Sequence, residues 1–173
     1  SVDIPSWYYE ALLTNDDDGN LQNGTPDVCE IDQAFGVHGL YQPLGADLQV
    51  ETNPQGDGSL EVILDYGDPV QLCPGSFDPS AALRYRPRPA MGQGGGGGTQ
   101  LDMSEVAPGV FRALIPPQPE GTVTQYRVDF DWGNGTVAQK PENRADEWYE
   151  FYTGPVEEIP FFVIKKDGRR EPF

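Results

Sequence analysis

The sequence predicts a mainly β protein: an antiparallel β-sandwich preceded by two short helices. Three observations carry that expectation. Glycine (21) and proline (17) are abundant in a chain of 173 residues, which favours short strands joined by turns over long helices. From Leu48 onward apolar residues recur with a period of two, the mark of a half-buried strand. Before Leu48 they recur near 3.6, the mark of a helix.

Taken in order, "SWYYEALLT" (6–14) reads as a helix, with Ser6 as N-cap and Trp7, Ala11 and Leu12 on a common face. "NDDDGNLQNG" then breaks it with turn formers. A second helix takes Thr25 as N-cap, Pro26 at its first position and Asp27 in its first turn, and stops before Gly39. Val28, Ile31 and Phe35 form its apolar stripe, with His38 where that stripe runs out. A cation there complements the helix dipole.

Six strand-like runs follow. "LQVET" places Leu48, Val50 and Thr52 on one side, and "SLEVILDY" does the same with Leu60, Val62, Leu64 and Tyr66. "AALRYRPRP" sets Leu83 and Tyr85 against Arg84 and Arg86. "GVFRALIP" comes next. "TVTQYRVDFDW" is the cleanest case, with Tyr126, Val128, Phe130 and Trp132 opposite Gln125, Arg127, Asp129 and Asp131. In "EWYEFYTG", Trp148 and Tyr152 fall on one side and Tyr149 and Phe151 on the other, so one pair is core and the other is packing or a platform for sugars. Six or seven short strands, each with one polar face, indicate an antiparallel sandwich. "MGQGGGGGTQ" (91–100) reads as a flexible loop between strands, because no GK[ST] and no helix follow it. The expected organisation is a helical segment with an acidic loop (1–43), a sandwich (44–160) and a C-terminal tail or hairpin (161–173).

The formal charge is −17. Residues 1–83 contain fifteen Asp and Glu and no Lys or Arg, while four of the eleven basic residues (Lys165, Lys166, Arg169, Arg170) stand in the last nine positions. So acidic a body repels nucleic acid and anionic membranes. No stretch approaches the roughly 18–20 apolar residues of a membrane span, so no membrane insertion is expected, and the chain reads as a monomer. It begins at Ser1 without Met, as a mature form or an excised piece would. Cys29 and Cys73 suit one disulfide; two buried free thiols are the alternative. The acidic, Lys-poor composition favours an oxidising compartment, and hence a secreted or cell-surface protein.

The acidic loop is the leading candidate site. Asp16, Asp17, Asp18, Asn20 and Asn23 offer oxygens of the kind calcium takes six to eight of. The EF-hand pattern fails: Gly19 at the sixth loop position puts Thr14 first and Thr25, not Glu, twelfth. A solvated linker and a structural calcium site both stay open. His38 is the sole histidine, and no GxSxG, HExxH or Cys/His pairing occurs, so no catalytic or zinc-binding set is expected.

"ALLTNDDDGNLQNGTPDVCEIDQAFGVHGL" (11–40) resembles the closing helices of the catalytic domain in secreted gluzincin-type metallopeptidases, the fungalysin and thermolysin-like group. "GVFRALIPPQPEGTVTQYRVDFDWGNG" (109–135) resembles the later strands of immunoglobulin-like or fibronectin-III-like modules in secreted bacterial enzymes. The resemblances imply an Ig-like/fibronectin-III-like antiparallel β-sandwich lying after a peptidase domain. The HExxH and downstream Glu of a gluzincin are lacking, so no catalytic residue carries over. "FFVIKKDGRREPF" (161–173) resembles the first hairpin of an ATP-cone domain but is several times too short to bind nucleotide alone; it reads as an Asp-Gly-turned hairpin or a foreign end. The expected function is a non-catalytic accessory or spacer module whose partner is a parent catalytic domain or an extracellular polymer. A carbohydrate-binding module or cell-surface adhesion domain is the alternative, and calcium is the one cofactor expected.

Overall fold

The computed structural model describes residues 4–41, 43–67, 73, 78–89, 98–133, 136–142, 148–154, 162–164 and 170–172. Helix α1 (Ile4–Asn15) and helix α2 (Val28–Gly36) flank a 3-10 turn at Leu21–Asn23. The strands are β1 (Ala46–Pro54), β2 (Leu60–Gly67), β3 (Ser80–Pro89), β4 (Thr99–Asp102), β5 (Ser104–Ala107), β6 (Val110–Ile115), β7 (Thr122–Asp131), β8 (Val137–Lys140), β9 (Tyr149–Thr153), β10 (Phe162–Ile164) and β11 (Arg170–Pro172).

Two antiparallel sheets make the sandwich. One runs β1-β2-β6-β5; the other runs β4-β3-β7-β8, with β9 on the same edge of β7 as β8. β8 pairs the second half of β7 and β9 the first half, so β7 is central, and it supplies the middle of the core. Tyr126, Val128, Phe130 and Trp132 are buried, as their alternation predicts. Phe130 meets the rings of Tyr66, Phe111 and Trp132 at centroid distances of 5.5, 5.9 and 4.7 Å. Leu60, Val62, Leu64 and Tyr66 of β2 and Leu83 and Tyr85 of β3 close the core from both sides. β10 and β11 pair antiparallel, Phe162 with Pro172 and Ile164 with Arg170. The Asp-Gly turn expected between them lies outside the described residues, as do residues 90–97 of the glycine run.

The helical pair sits on the sandwich through its own apolar side. Tyr8 packs edge-on against Phe35 and Tyr41, and Tyr41 against Trp132. The Thr136 hydroxyl donates to the Gly36 carbonyl (3.3 Å), and a Cys29–Cys73 disulfide with a Cα–Cα distance of 5.1 Å joins α2 to the segment between β2 and β3. Gly133 lets the β7–β8 turn settle against that same segment: its φ is +87°, and a Cβ would come within 2.5 Å of the Asp78 backbone.

Several local expectations are corrected. α1 begins at Ile4, so Ser6 lies inside its first turn rather than capping it; Pro5 is tolerated there because the amide it lacks would have no helical partner. Tyr8 and Leu12, one turn apart, form the buried face, and Trp7 is 57% exposed. α2 starts at Val28, after a turn at Pro26 and Asp27, with Asp27 as N-cap residue. Thr25 Oγ1, expected to cap, is buried without a hydrogen-bond partner. His38 is exposed beyond the helix end, off the apolar stripe.

Candidate functional site

The acidic turn is closed by its own side chains. Asn15, the last residue of α1, donates its Nδ2 to Asp27 Oδ2 (2.8 Å), and the Asp27 amide donates back to Asn15 Oδ1 (2.8 Å). Asp18 Oδ1 accepts from the Asn20 amide and Asp18 Oδ2 from Asn23 Nδ2 (2.7 Å), while Asn20 Oδ1 accepts from the Gln22 amide. Of the five residues the sequence nominated, the structure brings three close to one another. Asp16, Asp17 and Asp18 each offer one oxygen within 4.8 Å of the others, the one such grouping among the described residues. Asn20 and Asn23 are engaged in shaping the 3-10 turn. Asp16 Oδ1 is withdrawn from solvent and has no hydrogen-bond partner.

Helix α2 carries a group that periodicity did not single out. Asp32 falls on the apolar stripe of α2 and is buried, 2% exposed. The Tyr8 hydroxyl donates to its Oδ1 at 2.6 Å. Burial raises the Asp32 carboxyl above the ordinary carboxylate range, and the Tyr8 hydrogen bond pulls the other way. The phenols of Tyr8 and Tyr41 are pushed far up, first by burial and then by the carboxylate beside them. The Tyr8–Asp32 hydrogen bond fastens the two helices, and Tyr41 also lines a cleft of about 420 Å³ with Trp132 and Thr136.

The second site stands on the outer face of the β3–β7 sheet. Arg84 and Arg86 of β3 and Arg127 of β7, with Trp148, Gly98, Thr99 and Gln100, line an open cavity of about 400 Å³. The Arg86 and Arg127 guanidinium carbons lie 4.2 and 4.8 Å from the Trp148 ring centroid, within cation–π range. Asp129 holds Arg84 Nε at 2.7 Å and lies 3.7 Å from Arg127 Nε. Arg86 Nε donates to Gln125 Oε1, whose amide donates to Glu150. This arrangement decides the "EWYEFY" question. Tyr149 and Phe151 pack against the core, Tyr149 with its ring 5.3 Å from that of Tyr126, and Trp148 carries arginines on its ring. The sequence displayed the alternation of Arg84 and Arg86; that Arg127 joins them depends on which strand pairs with which.

No protein-family model matches the chain, and no curated protein matches it.

Proposed function

We propose that the chain is a non-catalytic accessory or spacer module of a secreted bacterial protein, placed downstream of a metallopeptidase catalytic domain. The observation that carries this reading is the joint between helices and sandwich. It is held by the Cys29–Cys73 bridge, the Thr136–Gly36 hydrogen bond and the aromatic chain Phe35–Tyr8–Tyr41–Trp132. A spacer needs such a joint, because it must hold what it connects at a fixed angle. Two further features support the reading. The strand order matches the ABED and C′CFG sheets of immunoglobulin-type sandwiches, if β8 and β9 together take the place of strand G. A disulfide suits an oxidising compartment, and among the described residues no helix is long and apolar enough to cross a membrane.

The test has two arms. The coding sequence of the parent protein should hold an HExxH and a downstream Glu before this chain. The isolated chain, loaded with zinc, should leave casein and fluorogenic peptides uncut. Cleavage that a chelator abolishes would show instead that the chain is itself a peptidase.

Calcium at the acidic turn is the second reading, favoured by Asp16 Oδ1, an oxygen removed from water with no donor to meet it. An ion bound only by the folded form stabilises it by about 2.7 kcal/mol at a hundredfold excess over Kd. Melting in calcium should then exceed melting in EDTA, and Asp16→Asn should erase the difference. Equal melting temperatures would leave the turn as a solvated linker, closed by the Asn15–Asp27 pair.

A further inference from the structure

In a chain of net charge −17, the arginines converge. Arg84, Arg86 and Arg88 alternate with the buried Leu83 and Tyr85 along β3, so all three leave its outer face. Arg127 leaves the same face of β7, and the register sets it directly opposite Arg84. Like charges facing each other across antiparallel strands destabilise the pair. Asp129 answers only part of that cost. Its one carboxylate serves both residues, and Arg127 Nε, withdrawn from solvent, has no hydrogen-bond partner. Arg84, Arg86 and Arg127 thus line a cavity of about 400 Å³, within the size range of small-ligand sites.

Trp148 gives the cluster its geometry. Arg86 and Arg127 reach the indole ring within cation–π range, and a guanidinium's planar fork of N–H donors can receive an oxyanion two donors at a time. Gln100, which the register sets opposite Arg84, adds an amide at the rim, a group that pairs with neutral hydroxyls. The remainder of the protein limits what can enter. Its negative field repels a densely charged polymer, while at contact the local cations prevail, since fields are screened over about 8 Å at physiological salt. A ligand whose isolated negative groups are separated by neutral, hydroxylated rings satisfies both conditions.

We propose that this cavity binds a uronic-acid unit of a glycan. Arg84, Arg86 and Arg127 take the carboxylate, and Gln100 a ring hydroxyl. The proposal goes beyond the accessory-module reading, which would stand if the cavity bound nothing; the peptidase and coding-sequence arms report on that reading alone.

The experiment is calorimetric titration of the whole chain with a hexasaccharide of alternating glucuronate and N-acetylglucosamine. Its carboxyl-reduced form, heparin and an alternating Glu-Gly peptide serve as comparisons. The charged hexasaccharide should bind, and more weakly as salt rises. The carboxyl-reduced form should bind at least tenfold more weakly, and heparin and the peptide more weakly than the hexasaccharide. Arg127→Lys keeps the charge and loses the fork, so it should cost about tenfold or more, and Arg84→Gln, at a half-exposed position, should weaken binding without unfolding the chain. Trp148→Ala should weaken it at an unchanged melting temperature. No binding of the charged hexasaccharide, equal binding of its reduced form, or undiminished binding by the arginine variants would overturn the proposal. Tighter binding of heparin or of the peptide would overturn the assignment to a uronate glycan.

Discussion

Asp32 shows how a single residue can work against the pattern that surrounds it. It occupies an apolar stripe, is buried, and receives one short hydrogen bond from Tyr8. A carboxylate out of water is costly unless its partners make up the loss, and here desolvation outweighs the phenol, since the folded-state pKa is raised. The sign of the pH dependence follows. Stability contributed by the protonated carboxyl is complete below the unfolded pKa, about 3.9, and is lost as pH rises through the higher folded value. Asn at this position keeps the acceptor and cannot ionise. Asp32→Asn should therefore match the wild type in acid and surpass it near neutrality, with the gap opening as pH climbs in urea melts. A variant that loses ground with rising pH would mean that the carboxylate is held by more than Tyr8. Removing the hydroxyl instead, in Tyr8→Phe, leaves that carboxylate without its donor and should cost about 1.5–3 kcal/mol.

Among the elements, legibility followed burial. β2, β3 and β7 each carry one face into the core, and Leu60–Tyr66, Leu83–Tyr85 and Tyr126–Trp132 announce it by alternation. β4, β5 and β8 carried no such signal. "TQLD" and "SEVA" lie almost wholly exposed, and "VAQK" is only partly covered. They are strands because β3, β6 and β7 offer unpaired backbone groups at those places, a fact of pairing and not of side-chain pattern. The helix boundaries slipped for a related reason. Thr25 and Pro26 suit a helix start, yet the Asn15–Asp27 exchange of hydrogen bonds makes Asp27 the first residue tied to α1, and α2 opens after it. The candidate sites divide the same way. The three aspartates are adjacent in sequence and could be read directly, whereas the arginine cluster is assembled from two strands about forty residues apart and becomes visible only once Arg84 is set across from Arg127.

At the scale of the molecule, the question is whether helices and sandwich behave as one body. Their contact is narrow, running through Tyr41, Trp132, Gly36 and Thr136, and a helix as short as α2 is marginal unless something holds it. The Cys29–Cys73 bridge supplies that hold across a sequence separation of 44; closing a loop of that length in the denatured chain contributes about 3–4 kcal/mol where the native geometry is unstrained. Native-state hydrogen exchange separates the possibilities, because it gives an opening free energy for each segment. In the oxidised protein, α2 amides such as that of Phe35 should open at nearly the same free energy as those of β7, one cooperative unit spanning the joint. After reduction, or in the Cys29→Ser/Cys73→Ser double variant, the α2 amides should open several kcal/mol more readily, while those of Val128 and Phe130, deep in the sandwich, remain the slowest to exchange. Helix amides that already exchange far ahead of β7 in the oxidised protein would mean that the bridge is a tether rather than a brace. The fixed angle on which the spacer reading depends would then be lost.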